Sequence, residues 1–161
     1  MNGPARILIA TGLALIAMTM FFGVGYAVFD EHQTLVGMGT LMANGFTEAA
    51  RGDLQAAFES FEAYEALSRE YRNEIHSHGH WGMLALILIV LGLVFNRLAF
   101  TAKQRIVLAW LLALSAALFP FGVLLQIGPA AALGEVLAIL GSTGMVLGLL
   151  ATVYGLLKRA T

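Results

Sequence analysis

Four long apolar runs divide the chain, approximately Ile7–Phe29, Trp81–Phe100, Ile106–Ile127 and Ala131–Leu157, and Lys and Arg are absent from the middle of each. Each is close to the twenty or so residues that a helix needs to cross a hydrocarbon core of about 30 Å. The pattern predicts an all-α fold, an integral membrane four-helix bundle in which residues 1–161 form a single membrane domain. Between the first and second runs, over residues 30–75, the pattern changes. After the polar break Asp30-Glu31-His32-Gln33, the apolar positions Leu35, Met38, Leu41, Met42 and Phe46 form one stripe. Leu54, Phe58, Phe61, Tyr64 or Glu65, Leu67, Tyr71 and Ile75 form a second at close to helical spacing. Gly52 followed by Asp53, a favoured N-cap residue, marks the joint between them. The segment reads as a long extramembrane helical hairpin whose two apolar faces cover each other.

Composition agrees with the membrane reading: 59% of residues are hydrophobic and 12% charged, with 18 glycines, far from the balance of a soluble domain. Basic residues give the orientation. Arg6 precedes the first span, Arg97, Lys103 and Arg105 bracket the link between the second and third, and Lys158-Arg159 follow the fourth. All six fall on one side, which assigns both termini to the cytoplasm and the hairpin to the periplasmic side of a bacterial inner membrane. The first span exceeds the 7–15 apolar residues of a signal peptide and is expected to be a retained helix. A net charge of -1 with no basic patch gives no reason to expect nucleic acid. Absence of cysteine removes disulfides and thiolate ligands, so any metal is held by nitrogen, oxygen or methionine sulfur.

Three histidines in five residues, His76-Ser77-His78-Gly79-His80, stand where the second span leaves water. His76 and His80 are four apart and share a helix face, whereas His78 points roughly the other way. The two hairpin arms, His32 to Gly52 and Gly52 to His76, have nearly equal length, roughly 30–36 Å at the helical rise. His32 is therefore expected at the height of His76 and His80, and Gln126 and Glu135 at the same depth are candidate outer hydrogen-bond partners or further ligands. Two cofactor readings follow. A b-type heme takes one or two axial imidazoles, an apolar slot and polar partners for its propionates; His76 or His80, with His32 as second ligand or propionate partner, beside Phe21, Phe22, Trp81, Met83, Phe119 and Phe121, supplies them. A copper or zinc site takes nitrogen and oxygen ligands from His32, His76 and His80, with His78 as a further metal candidate. Against both stands the plain reading that interfacial histidines cap helix ends and bond to headgroups. No His-Glu-x-x-His pattern, phosphate-binding glycine loop or nucleophile elbow is present.

Phe21-Phe22-Gly23-Val24-Gly25 late in the first span, with His76-Ser77 opening the second in a four-span chain, resembles the styrene oxide isomerase family. That resemblance implies a membrane-embedded b-heme protein that isomerises epoxides to aldehydes, with His76 as axial ligand. It covers the four spans and not the hairpin. The family's polar catalytic residues have no counterpart in the third span, where Leu108 to Gln126 offers only Ser115 and Gln126.

In the fourth span Gly134, Ala138, Gly141, Gly144, Gly148, Ala151 and Gly155 make one continuous small-residue face. The expectation is close packing against another helix of the same bundle, with an oligomer interface or a slot for a flat macrocycle as alternatives. Ser142 and Thr143 are expected to bond to their own backbone carbonyls, and Pro120 to kink the third span. The scattered methionines favour core packing over a copper relay. Three classes of function stay open: a heme protein, enzymatic or electron-transferring; a copper or zinc protein; or a non-catalytic subunit or assembly factor. Expected partners are membrane lipid, a second copy or a larger membrane complex, and a small apolar substrate or redox partner.

Overall fold

The computed structural model describes residues 3–127 and 129–158. Arg159, which entered the orientation argument, lies outside them. The chain is all-helical: α1 Gly3–Phe29, α2 Glu31–Ala50, α3 Leu54–Val94, a short 3₁₀ turn Phe95–Arg97, α4 Ala102–Leu125 and α5 Ala131–Leu157, with no strand among the described residues. Helices α1, α3, α4 and α5 are long and apolar enough to cross a membrane. In α3 the apolar stretch begins at Trp81, and its 41 residues, about 60 Å of helix, are more than one crossing requires. The fourth span agrees with its expected limits. The second differs: the helix stops at Val94 and the 3₁₀ turn follows, where an apolar helix to Phe100 was expected. Leu98 is extended, with ψ 136°, and buried, so Leu98–Phe100 are apolar because they pack, not because they are helical.

By its internal contacts the chain divides into two compact units, Met1–Met20 with His76–Thr161, and Phe21–Ile75. In the first, large apolar side chains such as Leu13, Met20, Leu86, Val90, Leu140, Leu147 and Leu150 are exposed, while the buried set is rich in Ala, Gly and Leu. That distribution suits a hydrocarbon solvent, where burial of apolar surface gives no driving force and helices associate by close van der Waals packing. Small residues make the closeness. A Cβ on Gly12 of α1 would stand 2.7 Å from the Ala85 carbonyl oxygen and 2.7 Å from Ile89 Cγ1 of α3. The small-residue face of α5 packs against α4 within this chain: Gly134 lies against Gly122, Gly141 against the Phe119 backbone, Gly144 against Ser115 Oγ and Gly148 against Leu112. Phe100 covers Gly155, and the Ala99 N–H donates to the Gly155 carbonyl at 3.0 Å. Within the spans, hydroxyls return to their own helices: Ser142 donates to Ile139 at 3.1 Å and Thr152 to Gly148 at 2.8 Å.

Helix α4 starts with a capping box in which Thr101 accepts from the Gln104 N–H at 3.3 Å and Gln104 Oε1 accepts from the Thr101 N–H at 3.0 Å. Pro120 lies inside α4 and is fully buried, so the helix continues through a residue that cannot donate its backbone bond.

In the second unit α2 and the first half of α3 lie side by side, Gly37 against Leu67 and Gly45 against Phe61, with the Phe46 and Phe61 rings edge-on at 5.6 Å. The turn between them is closed by chemistry visible in the sequence. Gly52 takes φ +84°, the Gly52 and Asp53 N–H groups donate to Ala49 and Glu48, and Asp53 Oδ1 accepts from the Ala56 N–H at 3.1 Å. Leu54, Phe58 and Phe46 near this turn are exposed. One carboxyl here is displaced from its ordinary behaviour: Glu74, in the stretch of α3 before the apolar run, is held above the usual carboxylate range, first by burial and then by the neighbouring Glu70 carboxylate.

Candidate functional site

The helical period fixes the histidine cluster. Residues 76 and 80 are one turn apart on α3, and their rings face each other edge-on with centroids 6.3 Å apart. His78 is turned away from that pair, half-buried, with its Nδ1 shielded from solvent. The expected division of the three imidazoles is therefore present. His76 is exposed, whereas His80 is half-buried and packs on Phe119 of α4, centroid to centroid 4.8 Å, with the rings inclined by 47°.

The face that carries the pair is open. Gly79, between the two histidines, has nothing within 4 Å of where its Cβ would stand, and Met83 one turn further along the face is exposed. Immediately behind it Ser77 and Trp81 are buried and face the packed interior. Trp81 is thus a core residue, 3% exposed, and not part of an aromatic wall available to a ligand. Phe21 and Phe22 belong to the other compact unit, as does His32, which is exposed in the first turn of α2. Phe119 of α4 reaches His80. Gln126 ends α4 as its C-cap, and Glu135 is exposed in the second turn of α5.

Among the described residues no three His, Cys, Asp or Glu side chains are grouped so as to hold a metal ion. A copper or zinc ion would therefore find two nitrogens, those of His76 and His80, where stable mononuclear sites use three or four ligands. A heme iron asks less of the protein, one or two axial ligands on opposite faces of a flat ring. Two imidazoles on one face of one helix approach from the same side, so only one of them can bind a given iron axially. The donor set fits one axial imidazole with a second imidazole on the same side for a carboxylate, and the bare backbone at Gly79 gives a planar group room beside them. Cavities lie elsewhere in the same unit. One of about 360 Å³ runs between α4 and α5, lined by Phe100, Lys103, Gln104, Val107, Leu111 and Ala151 among others, and one of about 260 Å³ is bordered by Pro4, Asn96 and Arg105.

Sequence reasoning identified the shared face of His76 and His80 but overlooked Gly79, although a glycine three residues after His76 was signal enough for an open strip. Compared with known proteins, the chain matches no protein family, no curated protein and no solved structure.

Proposed function

We propose that this is a heme b-binding integral membrane protein whose iron takes its axial imidazole from the His76/His80 pair. The observation that carries the reading is the pair itself: two imidazoles one turn apart on an open helix face, one of them oriented by an aromatic ring from a second helix. His80 is the axial ligand, because Phe119 restricts its ring and an oriented imidazole loses less freedom on binding iron. His76, one turn closer to water, is the partner for a propionate. The resemblance to styrene oxide isomerases points instead to His76 as the ligand, and the two assignments separate by mutation. Following the basic residues, the site lies at the periplasmic surface of a bacterial inner membrane, with both termini cytoplasmic and residues 30–75 forming a periplasmic hairpin.

The test is heme content after purification of single variants. His80→Ala is expected to lose most of the heme, His76→Ala to retain it with weakened affinity, and His78→Ala to retain it fully. Loss from His78→Ala equal to that from His80→Ala contradicts the facial assignment. Since the pair supplies one side of the iron only, carbon monoxide binding to the reduced protein reports the other side. Binding favours a substrate- or gas-binding role, and refusal favours a second protein ligand and electron transfer.

A second reading has its own support. The exposed Leu54, Phe58 and Phe46 around the turn between α2 and α3 suit a subunit or assembly factor that docks a partner there. In that case the histidines bind nothing, and removing the turn side chains abolishes assembly without changing any spectrum.

A further inference from the structure

The described ends of the first compact unit differ sharply in charge. Arg6, Arg97, Lys103, Arg105 and Lys158 are all at the end formed by the start of α1, the 3₁₀ turn, the start of α4 and the end of α5. The 3₁₀ turn, the start of α4 and the end of α5 are held together by the Ala99–Gly155 bond, the Arg105–Asn96 contact at 3.3 Å and the Phe100–Gly155 packing, and Pro4 of α1 borders a cavity with Asn96 and Arg105. None of the ten acidic residues is there: nine lie between Asp30 and Glu74, and Glu135 is near the start of α5. A basic end without counter-charges at the edge of a hydrocarbon layer attracts the anionic headgroups of the adjoining leaflet.

The groove between α4 and α5 opens at this end. Its volume is about 360 Å³, near the lower end of small-molecule sites. Its lining is apolar along Phe100, Val107, Leu108, Leu111 and Ala151, and polar only at Lys103 and Gln104. Gln104 uses its oxygen in the capping box, which leaves the amide NH₂ as its donor. Both polar groups at the mouth are therefore donors, and a basic ammonium stands at the end of an apolar trough. That order of chemistry, anion at the mouth and hydrocarbon along the floor, is the order of a phospholipid.

We propose that this groove binds one anionic phospholipid, its phosphate on Lys103 and one acyl chain along Val107, Leu111 and Ala151. A protein helix is a poorer occupant, because it would bring bulk to a groove of this volume and no anion to Lys103. The site is separate from the histidine pair and does not depend on what that pair binds.

The experiment is native mass spectrometry of the protein released from nanodiscs of equal phosphatidylglycerol and phosphatidylcholine, comparing four chains. Wild type is expected to retain one phosphatidylglycerol in preference to phosphatidylcholine. Lys103→Ala should reduce that preference about fivefold, the effect of about one basic side chain at a lipid surface. Arg97→Ala removes an exposed charge at the same end that does not line the groove, and should keep the preference. Ala151→Phe fills the trough and should release both lipids; Val107→Phe on the exposed rim repeats the test if Ala151→Phe does not fold. Equal effects of Lys103→Ala and Arg97→Ala would overturn the proposal in favour of diffuse attraction, as would retention of lipid by the filled-groove variants.

Discussion

A methyl group on Gly141 tests the packing account most sharply. Its Cβ would stand 2.7 Å from Phe119 Cα and 2.9 Å from Phe119 Cβ, closer still to the Phe119 nitrogen. Backbone atoms in the middle of a helix cannot rotate aside, so α4 and α5 must part by about 1 Å to restore a normal contact distance. A gap of that size forfeits about a quarter to a half of the dispersion well for the neighbouring contacts of the seam, at Gly134, Gly144 and Gly148. Overpacking of this kind costs about 1–3 kcal/mol, against a gain of about 1 kcal/mol from replacing helical glycine by alanine, and rigid backbone neighbours push the balance to a net loss of about 1–2 kcal/mol. Gly39 of α2 is the control, since nothing lies within 4 Å of its Cβ position. Gly39→Ala should gain about 0.5–1 kcal/mol from the same chemical change. Gly148→Ala falls between them, because its nearest neighbour, at 2.6 Å, is the end of the Leu112 side chain, which can turn away. Thermal unfolding in detergent, followed by the far-ultraviolet circular dichroism of the helices, should rank the variants Gly39→Ala, Gly148→Ala, Gly141→Ala from most to least stable. A Gly141→Ala protein as stable as Gly39→Ala would refute the close approach of α4 and α5.

Further outcomes follow from the second unit. Gly52→Ala forces a side chain into φ +84° and should cost about 1–2 kcal/mol, with Gly52→Asn milder; the same melts check it. The Glu74 carboxyl is raised in the folded chain, so its contribution to stability is complete below the ordinary glutamate range and is lost as pH rises through the folded value. Glu74→Gln should remove that loss, and the difference in melting temperature between variant and wild type should grow with pH over that window; a constant difference would contradict the shift. At the histidine pair, loss of heme from His80→Ala but not from His78→Ala is the expected pattern.

What could be read from the sequence divides along physical lines. The apolar runs were legible because a membrane imposes both length and composition, and α5 begins and ends at the expected Ala131 and Leu157. The Gly52-Asp53 joint was legible for a local reason, one residue supplying the left-handed backbone and the next the cap. Where the helix of the second apolar run stops was not legible, for a long-range reason. Leu98–Phe100 are as apolar as the helix before them, and the helix nonetheless stops at Val94, with Ala99 and Phe100 engaged on Gly155 of α5. Similarly, the period of 3.6 puts His76 and His80 on one face without any structure, but the approach of Phe119 to His80 belongs to helix packing. The small-residue face was visible in sequence, whereas its partner, α4, was not. Lys103 read as an orientation signal alone, because the groove beside it is made by two helices.

Whether the His76/His80 pair holds an iron porphyrin is decided by the visible absorption spectrum of the detergent-purified protein, oxidised and dithionite-reduced, with metal analysis of the same sample. A pair that holds heme gives a Soret band that shifts on reduction, iron in the metal analysis, and loss of both in His80→Ala. A flat visible spectrum from folded protein expressed with adequate heme supply contradicts it. Copper or zinc in that sample would assign the pair to metal chelation, and no metal would favour the second reading, a partner docked at the α2–α3 turn.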